Sequence, residues 1–92
     1  MVTLEQAREW LRIDGTDNDD IIQGLLEAAP SYIEVATGAS PQLQEMEPMS
    51  DTITKFLITL WYNADGTYAE KLQRTIDNLL KALTVKARDN NG

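Results

Sequence analysis

Apolar positions along the chain recur at helical rather than strand spacing, and they are densest in Ile53-Thr-Lys-Phe-Leu-Ile-Thr-Leu-Trp-Tyr62. Ile53, Phe56, Leu57, Leu60, Trp61 and Ala64 follow the i, i+3, i+4, i+7 stripe of an amphipathic helix. Ile58 and Tyr62 widen that stripe until only Thr52, Lys55, Thr59 and Asn63 remain as a polar seam. A helix that is apolar around most of its circumference is buried on most sides. The pattern therefore predicts a central helix over about 51–64 that the other elements wrap. It is too short, and Lys55 too polar, for a membrane span of about 20 apolar residues.

The flanking stretches carry their own start and stop signals. Thr3-Leu-Glu-Gln6 is a capping box, and a helix of about three turns should follow with Leu4, Ala7, Trp10 and Leu11 on one face, stopping at Asp14-Gly15. A second helix is expected from about Asn18 to Thr37. Ile22, Leu25, Leu26, Ala29, Ile33 and Ala36 form its buried stripe, with Ile21 and Tyr32 beside it and Gly38 as a left-handed cap. Asp17 or Asn18 caps its start, and Asp19 and Asp20 face the positive end of its dipole. Pro30 removes the bond to the Leu26 carbonyl, at about 3 kcal/mol. Because the stripe keeps its phase across Pro30, a kinked continuous helix is predicted.

Residues 39–49 read as a long loop holding Pro41 and Pro48, with Leu43, Met46 and Met49 as apolar points. Such a loop suits either a partner contact or a plain crossover. Pro48 or Ser50 opens the central helix and Asp65-Gly66 closes it. Thr67-Tyr-Ala-Glu70 is a second capping box, leading into a last helix with Leu72, Ile76, Leu79, Leu80 and Leu83 at helical spacing. Order is expected over about 2–86, with 87–92 as a flexible tail. The fold class that follows is all-α: one domain over 1–92, a small bundle of four helices around the central one.

Composition narrows the chemistry. Ninety-two residues suit one domain, which buries roughly 60–65% of its unfolded surface and gains from a partner. The chain has no Cys and no His, which excludes disulfides, Cys-ligated zinc, thiol nucleophiles and imidazole bases. No basic-then-apolar leader opens the sequence, so synthesis and residence in the cytosol are expected. The acids of Asp14-Gly-Thr-Asp-Asn-Asp-Asp20 fail as a calcium loop: a start at Asp14 puts Asp19 where glycine is needed and Leu25 where the bidentate glutamate belongs. The pairs Glu5/Glu9 and Asp19/Asp20 sit on polar faces or a helix start, without the desolvation a catalytic acid needs. Ser31 and Ser50 have no histidine to activate them. Trp61-Tyr62 lacks the interleaved bases of a nucleic-acid stacking surface. No catalytic, cofactor-binding or metal-ligating set emerges, and no enzyme is expected.

Charge adds an asymmetry to the net −7. Residues 1–51 hold eleven acids against Arg8 and Arg12, and residues 52–92 hold four acids against six bases. An acidic body argues against sequence-specific nucleic-acid binding. The split serves solubility, or it steers head-to-tail self-association.

Several segments, in order, resemble the head–tail connector (adaptor, head completion) family of tailed bacteriophages and prophages, some members of which are described as phage DNA-packaging proteins. They are Leu11-Arg-Ile-Asp14 before the acidic turn Asp17-Asn-Asp-Asp20, Leu25-Leu-Glu-Ala-Ala29 leading into Tyr32-Ile-Glu34 and Thr37-Gly38, then Leu60-Trp-Tyr-Asn63 and Leu79-Leu80. The resemblance covers roughly residues 2–83. Many relatives follow the Trp-Tyr pair with an acid and an arginine; here Asn63-Ala-Asp-Gly66 stands instead, so a salt bridge at that corner is not carried over.

The resemblance implies a viral structural protein without catalysis or cofactor. It would form an oligomeric ring, commonly twelvefold, below the portal protein during virion assembly. That ring would extend the DNA exit channel and dock the stopper or tail-completion protein. DNA would pass through without sequence-specific binding and no membrane would be involved. The protein would be made in the bacterial cytoplasm and reside at the head–tail junction of the virion. Joined to the charge split, this suggests a subunit interface of Glu5, Glu9, Asp19, Asp20 and Glu27 against Lys71, Arg74 and Lys81. Leu43, Met46, Met49, Lys86 and Arg88 are the candidates for portal or stopper contact. Two other classes stay open: a small acidic DNA mimic that inhibits a host nucleic-acid enzyme, which needs carboxylates at phosphate-like intervals, and a packaging accessory whose C-terminal bases touch DNA.

Overall fold

The computed structural model describes residues 2–63 and 69–91, with side chains through Asp89. Among the described residues five helices run in order: α1 Leu4–Leu11, α2 Asp19–Thr37, α3 Pro41–Met46, α4 Pro48–Tyr62 and α5 Ala69–Asn91. No strand occurs among the described residues. The class is all-α, as the apolar spacing predicts.

The helix starts follow local chemistry. Thr3 Oγ1 accepts from the Gln6 N–H at 3.2 Å while Gln6 Oε1 accepts from the Thr3 N–H at 3.0 Å, closing the capping box of α1. α1 stops earlier than the Asp14-Gly15 signal suggests. Arg12 takes the left-handed conformation at φ 58°, and its N–H and that of Ile13 turn back to carbonyls of the last turn. Asn18 occupies the N-cap of α2 but makes no side-chain cap bond. Its amide instead donates to the Tyr62 hydroxyl at 2.8 Å.

α2 runs unbroken through Pro30 to Gly38, a cap at φ 81° whose N–H bonds the Glu34 carbonyl at 2.8 Å. Its buried face is Ile22, Leu26, Ala29, Ile33 and Thr37, so the expected inward positions Leu25 and Ala36 are displaced, Leu25 to half-burial and Ala36 to solvent. Thr37 can be buried because its hydroxyl donates to the Ile33 carbonyl at 2.7 Å and accepts from the Ala39 N–H at 3.1 Å.

The stretch expected as a loop over 39–49 is mostly helical, which raises the helix number from four to five. Ser40 caps α3 by accepting from the Leu43 N–H at 3.3 Å, and Pro41 fills the first helical position, where its missing N–H costs nothing. Six residues do not hold a helix alone. Buried Gln44 supplies the tie, donating to the Pro30 and Ala39 carbonyls at 3.0 Å each. Glu47, extended as a residue before proline must be, is the single joint before α4.

α4 packs against every other helix. It joins two cores. Ile53 and Leu57 enter one with Ala29, Ile33, Ile76, Leu80, Leu83 and Ala87, and Ile58 enters the other with Val2, Ala7, Ile22 and Leu26. This is the central helix the sequence predicts. Its end differs from expectation: Trp61 and Tyr62 are half-buried at the rim, with Trp61 meeting Tyr32 edge-on at 5.7 Å. Trp10, expected inward, is 44% exposed and lies across the polar seam of α4. Its indole N–H donates to Thr59, its ring sits 6.1 Å from Phe56, and Lys55 Nζ lies 5.6 Å over it. An indole with a polar edge packs better against that seam than in a closed core. The predicted Asp65-Gly66 stop, Ala64 and the capping threonine Thr67 lie outside the described residues. α5 continues through Asn91, beyond the predicted onset of a flexible tail at 87, and Ala87 is buried in the core.

Candidate functional site

Neither a deep cleft nor a cluster of reactive groups marks a reaction centre among the described residues. A cavity of about 50 Å³ between α2, α3 and the start of α4 is lined by Leu26, Pro30, Gln44 and Thr54. That is room for waters, not for a metabolite. No three carboxylates among the described residues converge as a metal site. No helix among them is long and apolar enough to cross a membrane. The features with chemical character are therefore on the outside of the bundle.

The acidic residues singled out from sequence separate into three environments. Glu5 and Glu9 are exposed on α1, but Arg8 and Arg12 share that surface and offset their charge. Asp19 is half-buried and turned inward, its carboxylate 3.7 Å from Arg8 Nε, where it ties the start of α2 to α1. Asp20 and Glu27 project from the outer surface of α2, as does Glu34, which the sequence reading did not select. The signal for Glu34 was present: it continues the seven-residue interval from Asp20 to Glu27. Among the bases, Lys71, Arg74 and Lys81 are exposed along α5.

The expected portal or stopper set divides likewise. Leu43 and Met49 are half-buried against the main core, because α3 folds their segment onto the bundle. Met46 is left 76% exposed on the outer side of the same short helix. Lys86 reaches Glu47 at 3.1 Å and so joins α5 to the α3–α4 joint, while Arg88 stays exposed. Two aliphatic residues outside every predicted set, Val35 and Val85, are the unexpected surface positions, Val35 at 87% exposure.

Searches of curated proteins and of solved structures return no match. The family described as phage gp6-like head-tail connector protein matches residues 1–89, a span that begins before α1 and ends within the last turn of α5. A match over nearly the entire helical bundle places this chain in the phage gp6-like head–tail connector family, as a structural component of the phage head–tail junction.

Proposed function

We propose that the protein is a non-catalytic subunit of a ring that sits below the portal, extends the DNA exit channel and gives the stopper or tail its docking surface. It is made in the bacterial cytoplasm and ends in the virion, and DNA passes through the ring without being read. The observation that carries this reading is the family match across residues 1–89. Its physical support is the division of labour in the fold. The apolar residues of α4 are spent on joining two cores, and chemical character is left to the outer faces of the bundle. A domain of 92 residues, with little interior to bury, gains stability when neighbours cover its faces. Met46, Lys86 and Arg88 are the exposed members of the portal or stopper set; Lys86 is held by Glu47, and Met46 is the contact proposed toward the head or the tail.

The test is genetic and biochemical. Deleting the gene from the phage or prophage that encodes it should leave DNA-filled heads and finished tails unjoined, and purified protein added to those heads should restore joining. Normal head–tail joining without the protein would refute the reading.

A further inference from the structure

We infer that a second copy of this chain docks by laying its α5 along the outer face of α2, held by two charge lines of matched spacing. On α2, Asp20, Glu27 and Glu34 are all exposed and stand seven residues apart. On α5, Arg74, Lys81 and Arg88 are exposed at the same interval, with one acid on that side between the first two, Asp77, whose carboxylate accepts from Gln73 Nε2 at 2.9 Å. Seven residues are close to two turns, so each trio forms one line along its helix, about 21 Å from first to last charge. The acidic line of one copy therefore has the length and period of the basic line of another. Glu27 meets Lys81 at the centre whichever way the helices run.

A second line lies beside the acids. Ile21, Ala28 and Val35 follow the same seven-residue interval and are all exposed, Val35 at 87% and Ile21 at 59%. On α5, Val85 is 55% exposed beside the bases. An apolar seam bordered by charges of one sign, facing a helix with the opposite sign, is how helix pairs choose partner and register. Within the subunit these charges are not spent on one another. Asp19 and Lys86 have ion-pair partners in Arg8 and Glu47, but none of the six has one among the described residues. α2 and α5 meet inside through Ile33, Ile76 and Leu80, which leaves both charge lines on the outside. Where two copies meet through a single such pairing, α2 of one on α5 of the other, one line of each kind stays open. That is a heterologous interface, which continues from copy to copy until it closes. The assignment rests on the connector reading for its setting and names the surfaces by which neighbouring subunits touch.

The test swaps signs. One variant carries Asp20→Lys, Glu27→Lys and Glu34→Lys; a second carries Arg74→Glu, Lys81→Glu and Arg88→Glu; a third carries all six and so keeps the parent's net charge of −7. Sedimentation velocity at low salt follows self-association up to about 1 mM protein, the range of weak contacts. The parent should associate, each triple variant should associate about tenfold more weakly or not at all, and the six-fold variant should recover. Added salt should loosen parent and six-fold variant alike. A parent that stays monomeric, triple variants that associate as the parent does, or a six-fold variant without recovery would overturn the interface. The same proteins are then added to heads lacking the connector. Joining restored equally by parent and triple variants sinks the interface and leaves the connector reading standing; no restoration by the parent sinks the connector reading itself.

Discussion

The side-chain amide of Asn18 donates to the hydroxyl of Tyr62 at 2.8 Å, fastening the first residue of the α2 cap to the last residue of α4. Removing the hydroxyl with Tyr62→Phe leaves the ring in place and deletes the bond. The expected loss is about 1 kcal/mol in urea unfolding, the ordinary net worth of such a bond. An unchanged midpoint would mean the contact contributes nothing to stability.

The central helix should show a graded response along its length. Leu57 is 2% exposed and its truncation to Ala opens a cavity in the main core, at about 2–5 kcal/mol. Trp61 is larger but half-buried at the rim, so Trp61→Ala should cost less, about 2 kcal/mol. Denaturation of the two variants side by side checks the order. A larger loss for Trp61→Ala would make the edge contact with Tyr32 the keystone of the fold.

Gln44 is predicted to latch α3 onto α2. Gln44→Leu keeps the volume but strips the donors from the Pro30 and Ala39 carbonyls, an expected loss of about 1–3 kcal/mol. Hydrogen exchange should accelerate in α3 before it does so in α4. Equal protection of α3 in variant and parent would show that Leu43 and the Ser40 cap hold the segment without it.

Two glycines should respond to alanine with opposite signs. Gly24 lies inside α2 with open space around an added Cβ, so Gly24→Ala should stabilise by about 0.5–1 kcal/mol through helix propensity. Gly38 also has open space, but its φ of 81° is strained for any L side chain, so Gly38→Ala should destabilise by about 1 kcal/mol. Thermal melts of both variants decide this, and a shift in the same direction for both would contradict the cap assignment.

How much of this was legible in the residues depends on the range of the interaction. The Thr3–Gln6 start signal and the Gly38 stop act within a few residues, and the apolar period of α2 survives even Pro30. Those features, with the absence of Cys and His, set the all-α class, the central place of α4 and the lack of imidazole or thiol chemistry. α3 is not legible in the same way, because two prolines and two methionines look like loop chemistry until the buried amide of Gln44 finds its acceptors, the Pro30 carbonyl on α2 and the Ala39 carbonyl just after it.

What only the tertiary structure decided is which polar and aromatic groups are used up inside the subunit. Asp19 and Asp20 are neighbours in the chain, yet one is paired with Arg8 and the other faces solvent. Lys86 is joined to Glu47 while Arg88, two residues on, is open. Trp10 lies over Thr59 rather than in a core. Helical period by itself says which residues share a face; it does not say which face a neighbouring helix will cover. Burial and pairing are set by contacts between residues far apart in the chain, Trp10 and Thr59 being forty-nine positions apart, and those exist only once the bundle has closed.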